Sequence, residues 1–177
     1  MICTQRYISP LGGILLAADE AGLTGLWFDG QKYFARGLPA RHTEQDTPAL
    51  SAARRWLDIY FSGKEPDLLP PLCPVGSAFR QAVWQILLQI PYGQTTTYGE
   101  IARQLAGTAG LSRMSAQAVG GAVGHNEISI IIPCHRVVGT SGSLTGYAGG
   151  IERKVKLLEL ERADMTGFFV PKKGTAL

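Results

Sequence analysis

Residues 66–76 read PDLLPPLCPVG, with prolines at positions 66, 70, 71 and 74. Proline fixes φ and carries no amide hydrogen. Four in eleven residues therefore exclude both a helix interior and a central strand. The stretch divides the 177-residue chain, and the two sides carry different patterns. Residues 1–73 are expected to form a small N-terminal α/β domain with a short antiparallel sheet. Residues 74–177 are expected to form a mostly helical domain with a helix-turn-helix at about 97–125.

On the N-terminal side, GGILLAADEAGLTGLWFDGQK reads as two strands around a turn, Ile14 to Ala17 and Leu23 to Phe28. Residues 47–62 read as a helix. Thr47 is its N-cap, Pro48 takes the first helical position and Gly63 stops it. Its apolar stripe is Leu50, Ala53, Trp56, Leu57, Tyr60 and Phe61.

On the C-terminal side a helix is expected from Ser77, with Phe79, Val83, Ile86, Leu87 and Ile90 in one stripe and Pro91 and Gly93 ending it. In TTTYGEIARQLAG, residues 95–107, Thr97 and Glu100 have the spacing of a capping box. Ile101, Ala102 and Leu105 then face inward. SAQAVGGAVGHN, residues 115–126, reads as a second helix built of Ala, Val and Gly with few long side chains. Two short helices joined by a Gly-containing turn suit a helix-turn-helix, and they equally suit ordinary helix packing. Gly120 and Gly121 each weaken a helix by roughly 1 kcal/mol relative to alanine. Close approach of another backbone, from a neighbouring helix or a nucleic-acid groove, would offset that.

Hydrophobic residues make up 45% of the chain, enough for a real core. No apolar run approaches the ~18 residues that span a bilayer, so no membrane partner is expected. MICTQRYISP lacks the pattern of a signal peptide. Cys3, Cys73 and Cys134 are too few for a disulfide framework, which points to a reducing, cytoplasmic compartment. Residues 1–76 hold seven Lys and Arg against eight Asp and Glu, whereas residues 77–177 hold ten against six. The basic excess of the second half suits a polyanion, or a solvated surface. Lys172 and Lys173 read as a solvated tail.

The chemistry concentrates in IIIPCHRVVG, residues 130–139. Positive neighbours and a base favour thiolate over thiol, so Cys134 is a candidate nucleophile. It is equally a candidate metal ligand or structural thiol, although Cys3, Cys73, His42 and His125 show no paired ligand spacing. Adjacent residues do not face each other on a helix or a strand. Cys134 and His135 therefore need a bend at Pro133 or a bridging water to cooperate.

IPCHRVV, preceded by AVGGAVGHN and followed by GYAGGIERKVKLL, resembles the O6-alkylguanine-DNA alkyltransferases, the methylated-DNA–protein-cysteine methyltransferases. The similarity covers about residues 75–163. RQAVWQILLQIPYGQTTTYGEIA fits the same family, and residues 1 to about 70 fit its variable N-terminal domain more loosely. The resemblance implies repair by irreversible, stoichiometric transfer of an alkyl group from O6-alkylguanine in double-stranded DNA to Cys134, each molecule acting once without a cofactor or metal. O4-alkylthymine is left open as a second substrate. It implies His135 as a base acting through water, Glu161 as the carboxylate orienting it, and Tyr98 as proton donor to a ring nitrogen of the base. It implies the amide of Ala148 bonding the O6 atom, the carbonyls of Cys134 and Val137 accepting from the exocyclic amine, and Tyr147 walling the alkyl pocket. Lys154 matches a pocket-supporting lysine, and Asn126 an asparagine tying the recognition helix to the active-site segment.

The resemblance also implies a second helix lying in the minor groove, where Ala116, Ala118, Gly120 and Gly121 permit close approach, with the damaged base rotated out of the stack. Thr97 and Arg113 join this surface. Many members carry arginine immediately before AVG; here Gln117 stands there, with Arg113 one helical turn earlier as a partial substitute. Glu127 follows Asn126 where proline is common. Arg136 is expected to be a structural guanidinium joining the two domains. A monomer is expected, with side-by-side assembly on DNA left open. The rival readings are a non-catalytic recogniser of alkylated DNA, a cysteine hydrolase and a transcriptional regulator.

Overall fold

The computed structural model describes residues 1–172, so Lys173 of the expected tail lies outside the described residues; Lys172 is exposed. The chain forms two compact units: Met1–Val75 with Glu127–Ile131, and Gly76–Asn126 with the chain from Ile132 onward. A division at one point near residue 73 is therefore incomplete, because residues 127–131 return to the first unit.

In the first unit β1 (Cys3–Ser9), β2 (Gly12–Ala18), β3 (Leu23–Phe28) and β4 (Thr43–Glu44) make a sheet in the order β3-β2-β1-β4. β1 and β3 run antiparallel to β2, while β4 lies parallel to β1 at residues 3 and 4 only. α1 (Pro48–Phe61) packs on this sheet through Leu50, Ala53, Trp56, Leu57 and Tyr60. Thr47 caps it, with its hydroxyl accepting from the Leu50 amide, a bond worth about 1 kcal/mol. Ile14, Leu16, Leu26 and Phe28 lie fully buried in the same core. Each contributes roughly 1.5–3 kcal/mol by leaving water. Residues 127–131 run beside β3. The Leu26 amide donates to the Glu127 carbonyl at 2.8 Å, and the Ser129 amide to the Leu26 carbonyl at 3.0 Å. The Glu127 carboxylate accepts from the Trp27 indole at 2.6 Å, which accounts for a carboxylate at this position.

The second unit holds α2 (Ala78–Leu87), β5 (Thr96–Thr97), α3 (Tyr98–Thr108), α4 (Ala116–Gly124), a 3-10 turn at Cys134–Arg136, β6 (Val137–Val138) and α5 (Ile151–Leu160). Ser77, Thr97 and Ser115 each accept an amide from the first turn of the helix they precede. The capping box at Thr97 is only half made, because the Glu100 carboxylate pairs with Arg103. Trp84 of α2 is buried, and its indole donates to the Ala122 carbonyl of α4 at 2.9 Å. α3 and α4 pack on each other as the two helices of the helix-turn-helix. β5 and β6 pair in parallel, Thr96 with Val137 and Thr97 with Val138, which holds the start of α3 against the segment following Cys134.

Candidate active site

Pro133, at φ −82° and ψ 64°, bends the chain into the 3-10 turn that carries Cys134, His135 and Arg136, all buried. The two side chains leave one tight turn but make no direct hydrogen bond, since the sulfur faces Asn126 and His135 Nε2 faces Glu161; a bridging water is still needed for them to cooperate. The Cys134 sulfur accepts from the Asn126 amide at 3.2 Å, and the other Nδ2 hydrogen bond of Asn126 reaches the Ile132 carbonyl at 2.8 Å. Asn126 thus ties the end of α4 to the reactive segment on both sides of Pro133. Burial raises the Cys134 pKa. The Asn126 amide, the Lys154 charge and the backbone amides of residues 134 and 135 oppose that rise.

Glu161, at the C-cap of α5, gathers the remaining charges. Its carboxylate accepts from His135 Nε2 at 2.6 Å, from Arg136 Nε at 2.9 Å and Nη2 at 3.0 Å, and from the Gly93 amide at 3.3 Å. Burial alone would raise the Glu161 pKa, but the hydrogen bonds from His135 and Arg136, with the Arg136 charge, outweigh it and hold the carboxyl far below its usual range. Burial is also the main influence on His135, lowering its pKa against the pull of Glu161, so the imidazole is neutral near pH 7. An ionised carboxylate only accepts, which assigns the imidazole hydrogen to Nε2 and leaves the lone pair on Nδ1. Nδ1 is buried and has no hydrogen-bond partner. Glu159, the other nearby carboxylate, is exposed. Arg136 does not join two domains. Its guanidinium is committed within the second unit, to Glu161 and to the Ile90 carbonyl at 2.7 Å, because the turn points it at the end of α5.

Lys154 is fully buried on α5 and donates to the carbonyls of Val137 and Thr145, the latter at 2.9 Å. Burial brings its pKa down to about 8, and the Cys134 charge pulls in the opposite direction. Tyr98 donates to the same Thr145 carbonyl at 3.2 Å. Burial raises the Tyr98 pKa, with the Cys134 charge second, so the phenol keeps its proton. The Val137 carbonyl accepts from Lys154, and the Cys134 carbonyl from the Val137 amide. Tyr147 is buried edge-on to His135 with ring centroids 6.3 Å apart, and Ala148 beside it is half-buried.

A pocket of about 560 Å³ opens beside this cluster. That size lies within the range of ~300–1,000 Å³ for small-molecule sites. Ala116, Gln117, Gly120 and Gly121 of α4 line it together with Tyr98, Thr140, Thr145 and Gly146. Cys134 is buried and does not itself line the pocket; its charge is felt by Tyr98, which does. Ala118 is exposed on α4 but does not line the pocket. The Thr97 hydroxyl is engaged in capping α3. Arg113 is exposed but precedes Ser115, the N-cap of α4. It therefore does not stand one helical turn before Gln117. Thr140, Thr145 and Gly146 are absent from the sequence reading; the Gly-flanked run GTSGSLTG after β6 was their only signal. Crowding inside the chain explains neither Gly120 nor Gly121. A Cβ at Gly120 would sit at ordinary contact distance from Tyr98, and one at Gly121 would meet nothing within 4 Å.

Residues 78–163 match the family model of the 6-O-methylguanine DNA methyltransferase DNA binding domain, and residues 2–73 that of its ribonuclease-like domain. The chain belongs to the 6-O-methylguanine DNA methyltransferase family. It is 48% identical over 173 residues to the methylated-DNA–protein-cysteine methyltransferase of Mycobacterium tuberculosis, covering 95% of this chain and 99% of that one. The Haemophilus influenzae protein of the same name is 41% identical over 157 residues, covering 88% and 84%. The crystal structure of the M. tuberculosis O6-methylguanine methyltransferase superposes with a TM-score of 0.77 at 41% identity, covering 98% and 97%. That of the M. tuberculosis protein in complex with DNA gives 0.76 at 42%, covering 94% and 97%. Among the described residues no helix is long and apolar enough to cross a membrane.

Proposed function

We propose that this chain repairs DNA directly, as a methylated-DNA–protein-cysteine methyltransferase that moves the alkyl group of O6-alkylguanine to its own Cys134. The observation that carries the reading is the environment of one sulfur: the Asn126 amide at 3.2 Å and the charge of buried Lys154, beside a pocket walled by α4. A displacement at a saturated carbon needs a soft anion on one side and a proton for the leaving oxygen's ring system on the other.

His135 Nδ1, whose lone pair is set by the Glu161 contact at Nε2, takes the thiol proton through an intervening water. The sulfur–carbon bond forms as the carbon–O6 bond breaks. Tyr98 gives a proton to a ring nitrogen of the departing guanine; His135 then releases the thiol proton to solvent and the Tyr98 phenolate takes one back, so that in sum the thiol proton replaces the alkyl group on the base. For this the Tyr98 hydroxyl turns from the Thr145 carbonyl to the base. The Ala148 amide bonds O6, and the carbonyls of Cys134 and Val137 accept from the exocyclic amine. A thiolate is a poor leaving group from the carbon of a neutral thioether, so the alkyl group stays on Cys134 and the protein acts once.

O6 is inaccessible inside a stacked duplex, and the base must be rotated out at about a few kcal/mol. α4 enters the minor groove, its alanines and glycines letting the backbone come close, while Gln117 fills the gap in the stack. The partner is double-stranded DNA. We place the protein in the cytoplasm and expect one chain per lesion.

The test is the intact mass after incubation with a duplex containing O6-methylguanine. One methyl group is gained, and Cys134→Ser gains none. Repeated turnover would assign a hydrolase instead, and binding without a change in mass a non-catalytic recogniser.

A further inference from the structure

The loop from Gly139 to Gly146 supplies three pocket residues, Thr140, Thr145 and Gly146, and the Thr145 carbonyl to which both Tyr98 and Lys154 donate. On its other side this loop is held by a segment the reaction does not use. The Leu144 amide donates to the Phe169 carbonyl at 2.9 Å, and the Phe169 amide to the Gly142 carbonyl at 3.0 Å. Ser143 and Phe169 form a parallel bridge. Leu144 and Val138 lie in a small apolar cluster against which Ala163, Met165 and Phe168 pack. Contact is close enough that a Cβ on Gly142, at φ +92°, would stand 2.5 Å from the Gly167 carbonyl oxygen.

We propose that residues 163–169 act as a strap that positions the 139–146 loop and so limits the size of the alkyl group the pocket accepts; the proposal rests on the transfer function above. The physical argument is one of stiffness. A surface loop without a partner on its outer side yields to a bulky ligand, whereas one sharing two backbone hydrogen bonds and an apolar anchor with a neighbouring segment resists. The same two bonds fix the Thr145 carbonyl, and with it the resting positions of Tyr98 and Lys154. Ala163, Met165, Phe168 and Phe169 are therefore positioning residues that touch neither sulfur nor base.

The experiment compares single-turnover transfer from O6-methylguanine and from O6-benzylguanine in the same duplex. Phe169→Pro removes the amide hydrogen that Gly142 accepts. Gly142→Ala forces the strap away from the loop and gives the reading if the proline variant does not fold. Phe169→Val keeps both backbone bonds. The benzyl-to-methyl rate ratio is expected to rise about tenfold in the first two variants, the scale on which pocket fit discriminates small apolar groups, and to stay at wild type in Phe169→Val. DNA affinity stays unchanged, which separates the strap from general loosening. A wild-type ratio in both Phe169→Pro and Gly142→Ala, or a fall of both rates in parallel, overturns the strap while leaving transfer intact. Failure of the wild type to gain a methyl group would instead remove the reading beneath it.

Discussion

Replacing Lys154 with methionine separates what the buried cation does for the fold from what it does for the sulfur. Burial brings its pKa from 10.5 to about 8, so holding it charged at pH 7 costs about 3 kcal/mol. The unfolded chain binds the proton more tightly, so between about pH 8 and 10.5 the unfolded state carries more protons and wild-type stability rises with pH. Below pH 8 the full penalty is present. Methionine removes it but leaves the Val137 carbonyl without its Lys154 donor, at roughly 1–3 kcal/mol, while the Thr145 carbonyl keeps Tyr98. The two effects nearly offset at pH 7, and urea melts should place the variant within about 2 kcal/mol of wild type there. The variant should also lose its share of the rise between about pH 8 and 10.5. The thiol loses a stabilising cation and keeps its burial, so its pKa moves further up. Methyl transfer at pH 7 should fall by about tenfold or more. The decisive assay is the pH dependence of iodoacetamide alkylation at Cys134, read by peptide mass so that Cys3 and Cys73 do not contribute. If the thiolate forms at the same pH in Lys154→Met as in wild type, Lys154 is not its counterion and the reasoning fails.

Glu161→Gln leaves the Arg136 guanidinium buried without its carboxylate, and urea denaturation should show a loss of about 3–5 kcal/mol. Gly121→Ala should raise the melting temperature, since alanine favours helix by up to ~1 kcal/mol and its Cβ meets nothing in the chain. The same variant should weaken duplex binding in fluorescence anisotropy; unchanged affinity would count against α4 in the groove. Gln117→Ala should lower both duplex affinity and the repair rate if glutamine fills the place of the rotated base, and equal values in both assays would remove that role.

The local signals in the sequence held because their causes are local. Thr47, Thr97 and Ser115 cap the helices they precede, since a hydroxyl before an apolar-periodic run needs only the next turn to be satisfied. β1 escaped that reading. Its residues CTQRYIS are largely polar, and the strand exists because it pairs along its full length with β2. The same holds for Glu127–Ile131, which lies beside β3 through hydrogen bonds with Leu26, about a hundred residues away in the chain. No window of sequence contains both partners. Thr145 escaped for a related reason, since its place in the site comes from its carbonyl, to which Tyr98 and Lys154 donate, and a carbonyl is the same in every residue.

The PCHR turn lies between these cases. Residue types alone gave a thiol, a base and a cation without saying which would face which. The answer is that they do not share hydrogen-bond partners. Cys134 turns to Asn126 and the Lys154 charge, while His135 and Arg136 both turn to Glu161. Adjacent residues are therefore served by two different partners on α5, Lys154 and Glu161, seven positions apart and so about two helical turns along its axis. A helix presenting both to one short turn can stabilise an anion at one position and keep a neutral base beside it at the next. Either charge moved by a single residue around α5 would point some 100° away and leave one of the two functions unserved.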